Sequence, residues 1–255
     1  MRLPLALALL AAASASAQIS TDRPGLGFSP LVVTQGTLQV EAGVPQAARL
    51  NGPEVRGVSS SLTVYSFPVA LRYGLTETVE LRAGTSSLYD VVSVSIDTPA
   101  GSDGDSEGNA GLDVVEVGAK IQLATNGPTV AVIPSVLVPT TEAGDLAAVA
   151  RVVAGFALTD RVGLTAVLGG SVTDAEPDTR VVAEAVAVIG TALSDALSIY
   201  GEVGAFPQDG ATPVLAGGGL LFLASPDVQL DASFDVGLTD EAADLRFGAG
   251  ISFRF

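Results

Sequence analysis

Residues 245–255 have the sequence LRFGAGISFRF. Apolar residues occupy every second position, with arginine, glycine and serine between them. A period of two is typical of a β-strand, because successive side chains point to opposite faces of a sheet. The stretch therefore predicts a strand with one apolar face and leaves open which environment that face meets.

Twelve segments of the chain share this strand-like pattern, and each is close to the ~9–11 residues that a tilted strand needs to cross a membrane. Their connections alternate between tight turns such as LTET and longer, mostly acidic loops such as NGPEVRG. Short turns on one side and longer loops on the other are typical of a transmembrane β-barrel. We therefore predict an all-β fold, a transmembrane antiparallel β-barrel of about 12 strands. The predicted spans are 36–48, 58–74, 78–89, 112–124, 129–140, 148–159, 162–173, 180–193, 197–207, 213–224, 228–239 and 245–255.

A soluble β-sandwich would also alternate, but its outer face would be the polar one and its core would favour larger residues. The alternation of turns and loops favours the barrel over this alternative. Pro68 and Pro134 fall inside predicted strands. Proline cannot donate a ladder hydrogen bond, so each predicts a bulge or a shift of the strand.

The amino-terminal stretch predicts export. Residues 1–17 carry one positive charge at Arg2, then an apolar run, then the small residues Ala15-Ser16-Ala17. This is the pattern of a secretory signal peptide, whereas a retained membrane helix would need ~20 apolar residues. The predicted organisation is a signal peptide at 1–17, an N-terminal periplasmic segment at 18–35 and a transmembrane barrel at 36–255.

Composition narrows the class of function. The chain has no histidine and no cysteine, and its formal charge is −16 although 48% of its residues are hydrophobic. Without histidine, Ser-His-Asp catalysis and histidine metal sites are excluded, and no nucleophile–base pair stands out. We therefore expect no enzyme activity and no cofactor. The acidic charge would repel nucleic acid.

The final stretch resembles the carboxyl-terminal targeting signal of bacterial outer-membrane barrels, with Gly250, Phe253 and Phe255 in the matching positions. The resemblance implies that the barrel-assembly machinery of a Gram-negative-type bacterium reads this strand. It also implies contact with outer-membrane lipid and lipopolysaccharide. Divalent cations could bridge the acidic loops to that anionic surface.

A second resemblance lies in ISTDRPG, residues 19–25. The block Thr21, Asp22, Arg23 and Pro24 is similar to the opening of the outer-membrane transporter family named for the MetA pathway of phenol degradation. The name of that family implies passage of small, poorly water-soluble compounds. From the residue types, we expect the block to form an ordered strap at the periplasmic mouth; a simple linker is the alternative.

Strand parity assigns acids and bases to the inside of the barrel. Their near balance predicts paired charges and a narrow or cross-bridged lumen with weak ion selectivity, since unpaired buried charges are costly. An interior packed solid with salt bridges is the alternative. The expected lumen-lining residues are Glu41, Arg72, Glu80, Arg82, Glu116, Lys120, Arg151, Glu184, Glu202, Asp231, Asp235, Arg246 and Arg254.

The longest predicted loop contains a partial calcium motif. Asp103, Asp105, Glu107 and Gly108 have the spacing of the first half of a calcium-binding loop, but the position of the closing glutamate is Val114. A solvated polar loop is the alternative interpretation. Surface calcium is accordingly the one metal that the sequence suggests.

Together these patterns predict an outer-membrane channel for the passive passage of a small-molecule solute, either uncharged or hydrophobic. The alternative is a non-conducting barrel with a structural or surface-interaction role, in which the acidic loops would be the working part.

Overall fold

The computed structural model describes residues 19–112, 114–125, 127–141, 144–175 and 178–255. The predicted signal peptide, residues 1–17, lies outside this part of the chain. Every regular element of the described residues is a β-strand. A search of the same residues finds no helix that is long and apolar enough to cross a membrane.

The strands are β1 (Leu38–Asn51), β2 (Ser59–Ser66), β3 (Val69–Gly74), β4 (Val79–Thr85), β5 (Tyr89–Thr98), β6 (Gly101–Ala110), β7 (Val114–Ala124), β8 (Thr129–Pro139), β9 (Ala147–Ala157), β10 (Val162–Ala175), β11 (Asp178–Ala192), β12 (Leu197–Ala205), β13 (Val214–Ser225), β14 (Val228–Gly237) and β15 (Leu245–Arg254).

The sheet closes on itself. β15 pairs antiparallel with β1, with Val40 opposite Phe253. The Phe255 amide donates to the Leu38 carbonyl at 2.8 Å, and the Leu38 amide donates to the Phe255 carbonyl at 3.2 Å. The prediction of a closed antiparallel barrel of twelve strands is confirmed.

Fifteen strands fill twelve positions because three positions are each divided into two strands, β2 with β3, β4 with β5 and β6 with β7. β1 pairs with β3 through Leu38–Ala42 and with β2 through Gln46–Asn51, and Pro68 lies in the break between them. Thus proline interrupts the predicted strand 58–74, as expected. At Pro134 the strand does not shift, because β7 and β8 pair in the same register on both sides of this proline. The residues of β7 between Gly118 and Ile121, however, form no pairs with β8.

The longest predicted loop is a hairpin, so the prediction of a loop there is wrong. The strand that begins as β4 continues as β5. β6 then runs antiparallel beside β5, with Gly101 opposite Thr98 at one end and Ala110 opposite Tyr89 at the other. All of β6 is exposed, and among the described residues its pairing is with β5. Backbone hydrogen bonds to β5, which is rich in β-branched residues, hold this polar segment in the sheet. The segment has no apolar pattern of its own from which a strand could be predicted.

Side chains alternate between the outside and the inside of the barrel. Large apolar residues cover the outside, among them Leu168 (64% exposed), Phe234 (51%) and Phe247 (46%). On strands β8–β11 part of the inside is apolar as well. Ile133, Val153, Val167 and Val186 form a buried cluster there, which we call the apolar wall.

Candidate functional site

Residues 19–37, which we call the plug segment, pass through the lumen. The Leu26 amide donates to Glu202 Oε2 of β12 at 2.8 Å, and the Val33 amide donates to Glu80 Oε2 of β4 at 2.8 Å. Contacts with strands on different sides of the barrel place the segment inside it. The predicted segment 18–35, with the predicted strap Thr21–Pro24, therefore lies from residue 19 onward among charged partners on the inner walls.

Asp22 binds a patch of three cations, Arg72, Arg82 and Lys120, which we call the basic wall. Lys120 Nζ donates to Asp22 Oδ1 at 2.8 Å, and Arg82 Nη1 donates to Asp22 Oδ2. Arg72 Nη1 lies 3.6 Å from Asp22 Oδ2. The Asp22 amide also donates to Glu41 Oε2 at 3.1 Å. The carboxylate is thus held at the centre of a charge network.

The basic wall is charge-balanced only with Asp22 in place. Arg72 makes a bidentate pair with Glu80 at 2.8 Å and donates to Glu41 Oε1 at 2.7 Å. Those two carboxylates leave one of the three positive charges without a counterion, and Asp22 supplies it. Burial by itself would raise the pKa of Asp22, but the charges of Arg72, Lys120 and Arg82 outweigh burial and hold that pKa well below its ordinary value.

Arg23 binds an acidic surface, whereas Asp22 binds the basic wall. Glu202, Asp231 and Asp235 form an acidic wall on β12 and β14. Arg23 Nη2 donates to Asp231 Oδ1 at 3.2 Å and to the Ala249 carbonyl at 3.1 Å. A Cβ at Gly250 would lie 2.4 Å from Arg23 Nη2, so the absence of a side chain makes room for the guanidinium.

The remaining residues of the motif fix the backbone. Thr21 Oγ1 donates to the Arg23 carbonyl at 2.7 Å and accepts a hydrogen bond from Gln229 Nε2 at 2.9 Å. Pro24 is buried. Four consecutive residues therefore anchor the plug segment to the strands around them.

The plug segment also carries apolar side chains. Leu26 and Phe28 pack against the apolar wall. The guanidinium carbon of Arg151 lies 4.8 Å from the centroid of the Phe28 ring, and that of Arg82 lies 5.6 Å from it. Arg151 is held by Glu116 at 2.8 Å and by Glu184 at 2.7 Å. Apolar side chains of the plug segment thus meet the apolar wall.

Two cavities flank the plug segment. The loop-side cavity, about 480 Å³, lies toward the long loops, where Thr85, Val114 and Leu137 line it. The turn-side cavity, about 390 Å³, lies toward the tight turns, where Gly163 and Leu221 line it. Both volumes fall in the ~300–1,000 Å³ range of ligand pockets. Asp22, Arg23 and Phe28 line both cavities, so this part of the plug separates them.

Parity placed the acids and bases without showing how they group. Some charges pair within the barrel wall, Arg72 with Glu41 and Glu80 and Arg151 with Glu116 and Glu184. The remaining positive charge lies on the basic wall and the remaining negative charge on the acidic wall, and the plug segment binds both. Arg246 lines a smaller cavity beside Asp235. Arg254 lies at the end of β15, where its Nε is 3.1 Å from Asp227 Oδ1 in a tight turn. It belongs to the rim and not to the middle of the lumen.

The partial calcium motif lies on β6. Asp103, Asp105 and Glu107 are exposed on this extended strand, where alternate residues are about 6.6 Å apart. An extended strand does not wrap around an ion as a calcium loop does. Within the part of the chain that the structure describes, no group of three or more acidic side chains is placed to hold a metal ion.

The residues of the targeting signal also have structural positions. Phe253 and Phe255 stack with their ring centroids 6.4 Å apart, and Phe255 is 75% exposed. Gly250 faces the lumen beside Arg23. The apolar wall and the role of Phe28 were missed by the sequence reading. The run AVAVIG of β11, residues 185–190, is apolar on both faces and was the signal that could have revealed this wall.

Solved structures with a similar fold are outer-membrane barrels. The COG4313 outer membrane channel from Pseudomonas putida F1 has a TM-score of 0.62 and 13% identity, and the match covers 91% of this chain and 99% of that one. The NanC porin has a TM-score of 0.53 and 10% identity over 85% of this chain and 98% of that one. A comparison with curated proteins gave no match. The model of the family described as "Putative MetA-pathway of phenol degradation" matches residues 21–255, and the chain belongs to this family.

Proposed function

We propose that the protein is an exported outer-membrane channel through which small uncharged or hydrophobic compounds pass down their gradient. The observation that carries the proposal is the arrangement around the plug segment: most of the lumen charges are paired, while two cavities and an apolar wall remain. A solute without charge would meet little competition from the ion pairs. An ion would meet few free counter-charges.

The outer surface supports the membrane location. Leu168, Phe234 and Phe247 are exposed on the outside of a closed barrel, where acyl chains would cover them. A closed barrel satisfies every backbone group internally, as a lipid environment requires. The similar fold of outer-membrane barrels is consistent with this location. Lipid, lipopolysaccharide and the barrel-assembly machinery are the partners that this location entails.

The non-conducting barrel remains the second candidate, because one observation favours it. The plug segment occupies the lumen, and the exposed β5–β6 hairpin presents Asp103, Asp105 and Glu107 on the long-loop side. A surface-interaction barrel would use that hairpin and would need no path through the lumen.

Two solutes of matched size separate the candidates. The purified protein would be reconstituted into vesicles with a lipopolysaccharide outer leaflet, and uptake of radiolabelled cyclohexanemethanol and cyclohexanecarboxylate would be timed. The channel predicts that the protein speeds uptake of the neutral alcohol well above that of the carboxylate. Uptake of both compounds at the rate of protein-free vesicles would support the non-conducting barrel.

A further inference from the structure

Phe28 occupies the position where the two cavities meet. Its ring lines both the loop-side and the turn-side cavity, so a solute that moves from one to the other passes it. The ring is half-buried and packs against the apolar wall. The plug segment therefore presents an aromatic side chain to both spaces.

Two guanidinium groups face this ring. Arg151 and Arg82 lie 4.8 and 5.6 Å from the ring centroid, within the ~6 Å over which a cation is attracted to an aromatic face. Each guanidinium comes from the barrel wall, Arg82 from β4 and Arg151 from β9. The wall thus offers a ring-binding position, and the plug segment fills it.

The cations of this position are already neutralised. Arg151 pairs with Glu116 and Glu184, and Arg82 pairs with Asp22 and Glu80. An incoming ligand need not bring a negative charge, and an anion would meet four carboxylates nearby. What the position offers beyond an apolar surface is attraction for the face of a neutral aromatic ring.

We infer that Arg82 and Arg151 form a binding subsite for a neutral aromatic ring, and that Phe28 is the internal occupant which a solute displaces on its way between the cavities. The inference rests on the proposed channel function and names a solute class for it. The subsite favours a planar ring over an aliphatic ring of equal size. Phe28 weakens solute binding by competition.

The test compares benzyl alcohol with cyclohexanemethanol, which differ in the π-face and little in size. Binding of each alcohol to the refolded full-length protein in a ring-free detergent would be titrated by saturation-transfer NMR. Phe28→Leu keeps an apolar side chain against the apolar wall and removes the competing ring. In this variant we expect benzyl alcohol to bind about two- to fivefold more tightly than cyclohexanemethanol, the range for a cation–π contact near the surface.

Two further variants identify the source of the preference. Phe28→Leu combined with Arg151→Gln should return the ratio of the two affinities toward one. Phe206→Leu is the matched control, because Phe206 packs against the same wall, and it should leave the wild-type ratio unchanged. If Arg151→Gln fails to give a heat-modifiable barrel, Arg82→Gln in the Phe28→Leu background makes the same comparison.

Equal affinities for the two alcohols in Phe28→Leu would overturn the inference. So would a benzyl alcohol preference that persists when both arginines are replaced. Either result leaves the channel intact if the wild-type protein still speeds cyclohexanemethanol uptake into vesicles. Failure of that uptake, with a ring preference still present in Phe28→Leu, would instead count against the channel and leave the subsite standing.

Discussion

Asp22 and Arg23 are neighbours in the chain but bind opposite kinds of wall. Asp22 Oδ1 accepts a hydrogen bond from Lys120 on β7 at 2.8 Å, whereas Arg23 donates to Asp231 on β14 at 3.2 Å. One peptide unit therefore joins a basic wall to an acidic wall across the lumen. The plug segment acts as a counterion to both, and the structural consequences of its removal follow from this.

Replacing Asp22 by asparagine should destabilise the protein. The variant keeps the shape of the side chain but leaves the basic wall with one uncompensated buried charge. Breaking a buried ion pair in this way costs about 3–5 kcal/mol. Denaturant unfolding, followed by heat-modifiable migration, would measure the loss. Adding Lys120→Met should recover part of it, and no recovery would show that the charge balance is not the cause.

The pH dependence of plug binding follows from the lowered pKa of Asp22. A carboxylate whose pKa is lower in the bound than in the released state stabilises binding fully above its ordinary pKa, near 3.8. That contribution is lost as the pH falls through the lowered value. We therefore expect the plug to stay bound from neutral pH to about pH 4 and to loosen only in stronger acid.

A single introduced cysteine can report this transition, because the chain has none of its own. Leu31 is 47% exposed within the plug segment, so Leu31→Cys would carry a spin label. The spectrum should change to that of a mobile label only below about pH 4. With Asp22→Asn added, the label should be mobile already at neutral pH. Label mobility that changes near pH 6 would contradict the assignment to Asp22.

Gly250 should be needed for plug binding as well as for strand closure. A Cβ there would lie 2.4 Å from Arg23 Nη2 and 2.7 Å from the Ala42 carbonyl. Gly250→Ala should therefore displace the Arg23 side chain and raise the mobility of the Leu31→Cys label. Gly201→Ala is the control, because its Cβ would meet nothing nearer than 3.7 Å. A change of equal size in both variants would mean that loss of glycine, not the clash, is responsible.

The outer face should tolerate charge according to depth. Phe234 is 51% exposed on the outside of β14. Phe234→Arg should destabilise the folded barrel by about 2–4 kcal/mol if the residue lies at the midplane of the bilayer. Leu238 lies just beyond the end of that strand. Leu238→Arg should destabilise the folded barrel by only about 0–1 kcal/mol. Refolding equilibria in lipid vesicles would compare them. Equal costs would contradict a bilayer around the barrel.

Assembly should depend on the last residue. Phe255 pairs with Leu38 through its backbone, and its exposed ring stacks on Phe253. Phe255→Asp should reduce the amount of heat-modifiable barrel recovered from the outer membrane, because the resemblance assigns the terminal aromatic to recognition by the assembly machinery. Normal recovery of the variant would contradict that role.

The sequence was sufficient to predict the barrel because a period of two, turn lengths and terminal residues are all local features. Closure between Leu38 and Phe255 then follows from the need to pair both edge strands. The β5–β6 hairpin was not predictable, since β6 has no apolar residue pattern and depends on its partner for pairing. The break at Pro68 was expected. The sequence did not predict that β1 changes its pairing partner there from β3 to β2, and the same limit explains why.

The candidate site was predictable only in part. Parity identified charged side chains such as Arg72 and Glu80, but it could not show which strands meet across the lumen. The grouping into a basic and an acidic wall depends on that three-dimensional arrangement. The plug segment was assigned to the periplasm because it lacks strand periodicity, and only its partners inside the barrel determine where it lies.

Asp22 and Arg23 should hold the plug segment across the lumen and so limit the passage of ions. Single-channel recording in planar bilayers would test this by comparing the wild-type protein with Asp22→Asn/Arg23→Gln. Heat-modifiable migration would first show that both are folded barrels. The structure predicts little ion current through the wild-type protein and a large, steady current through the double variant. Identical large currents through both would contradict the claim.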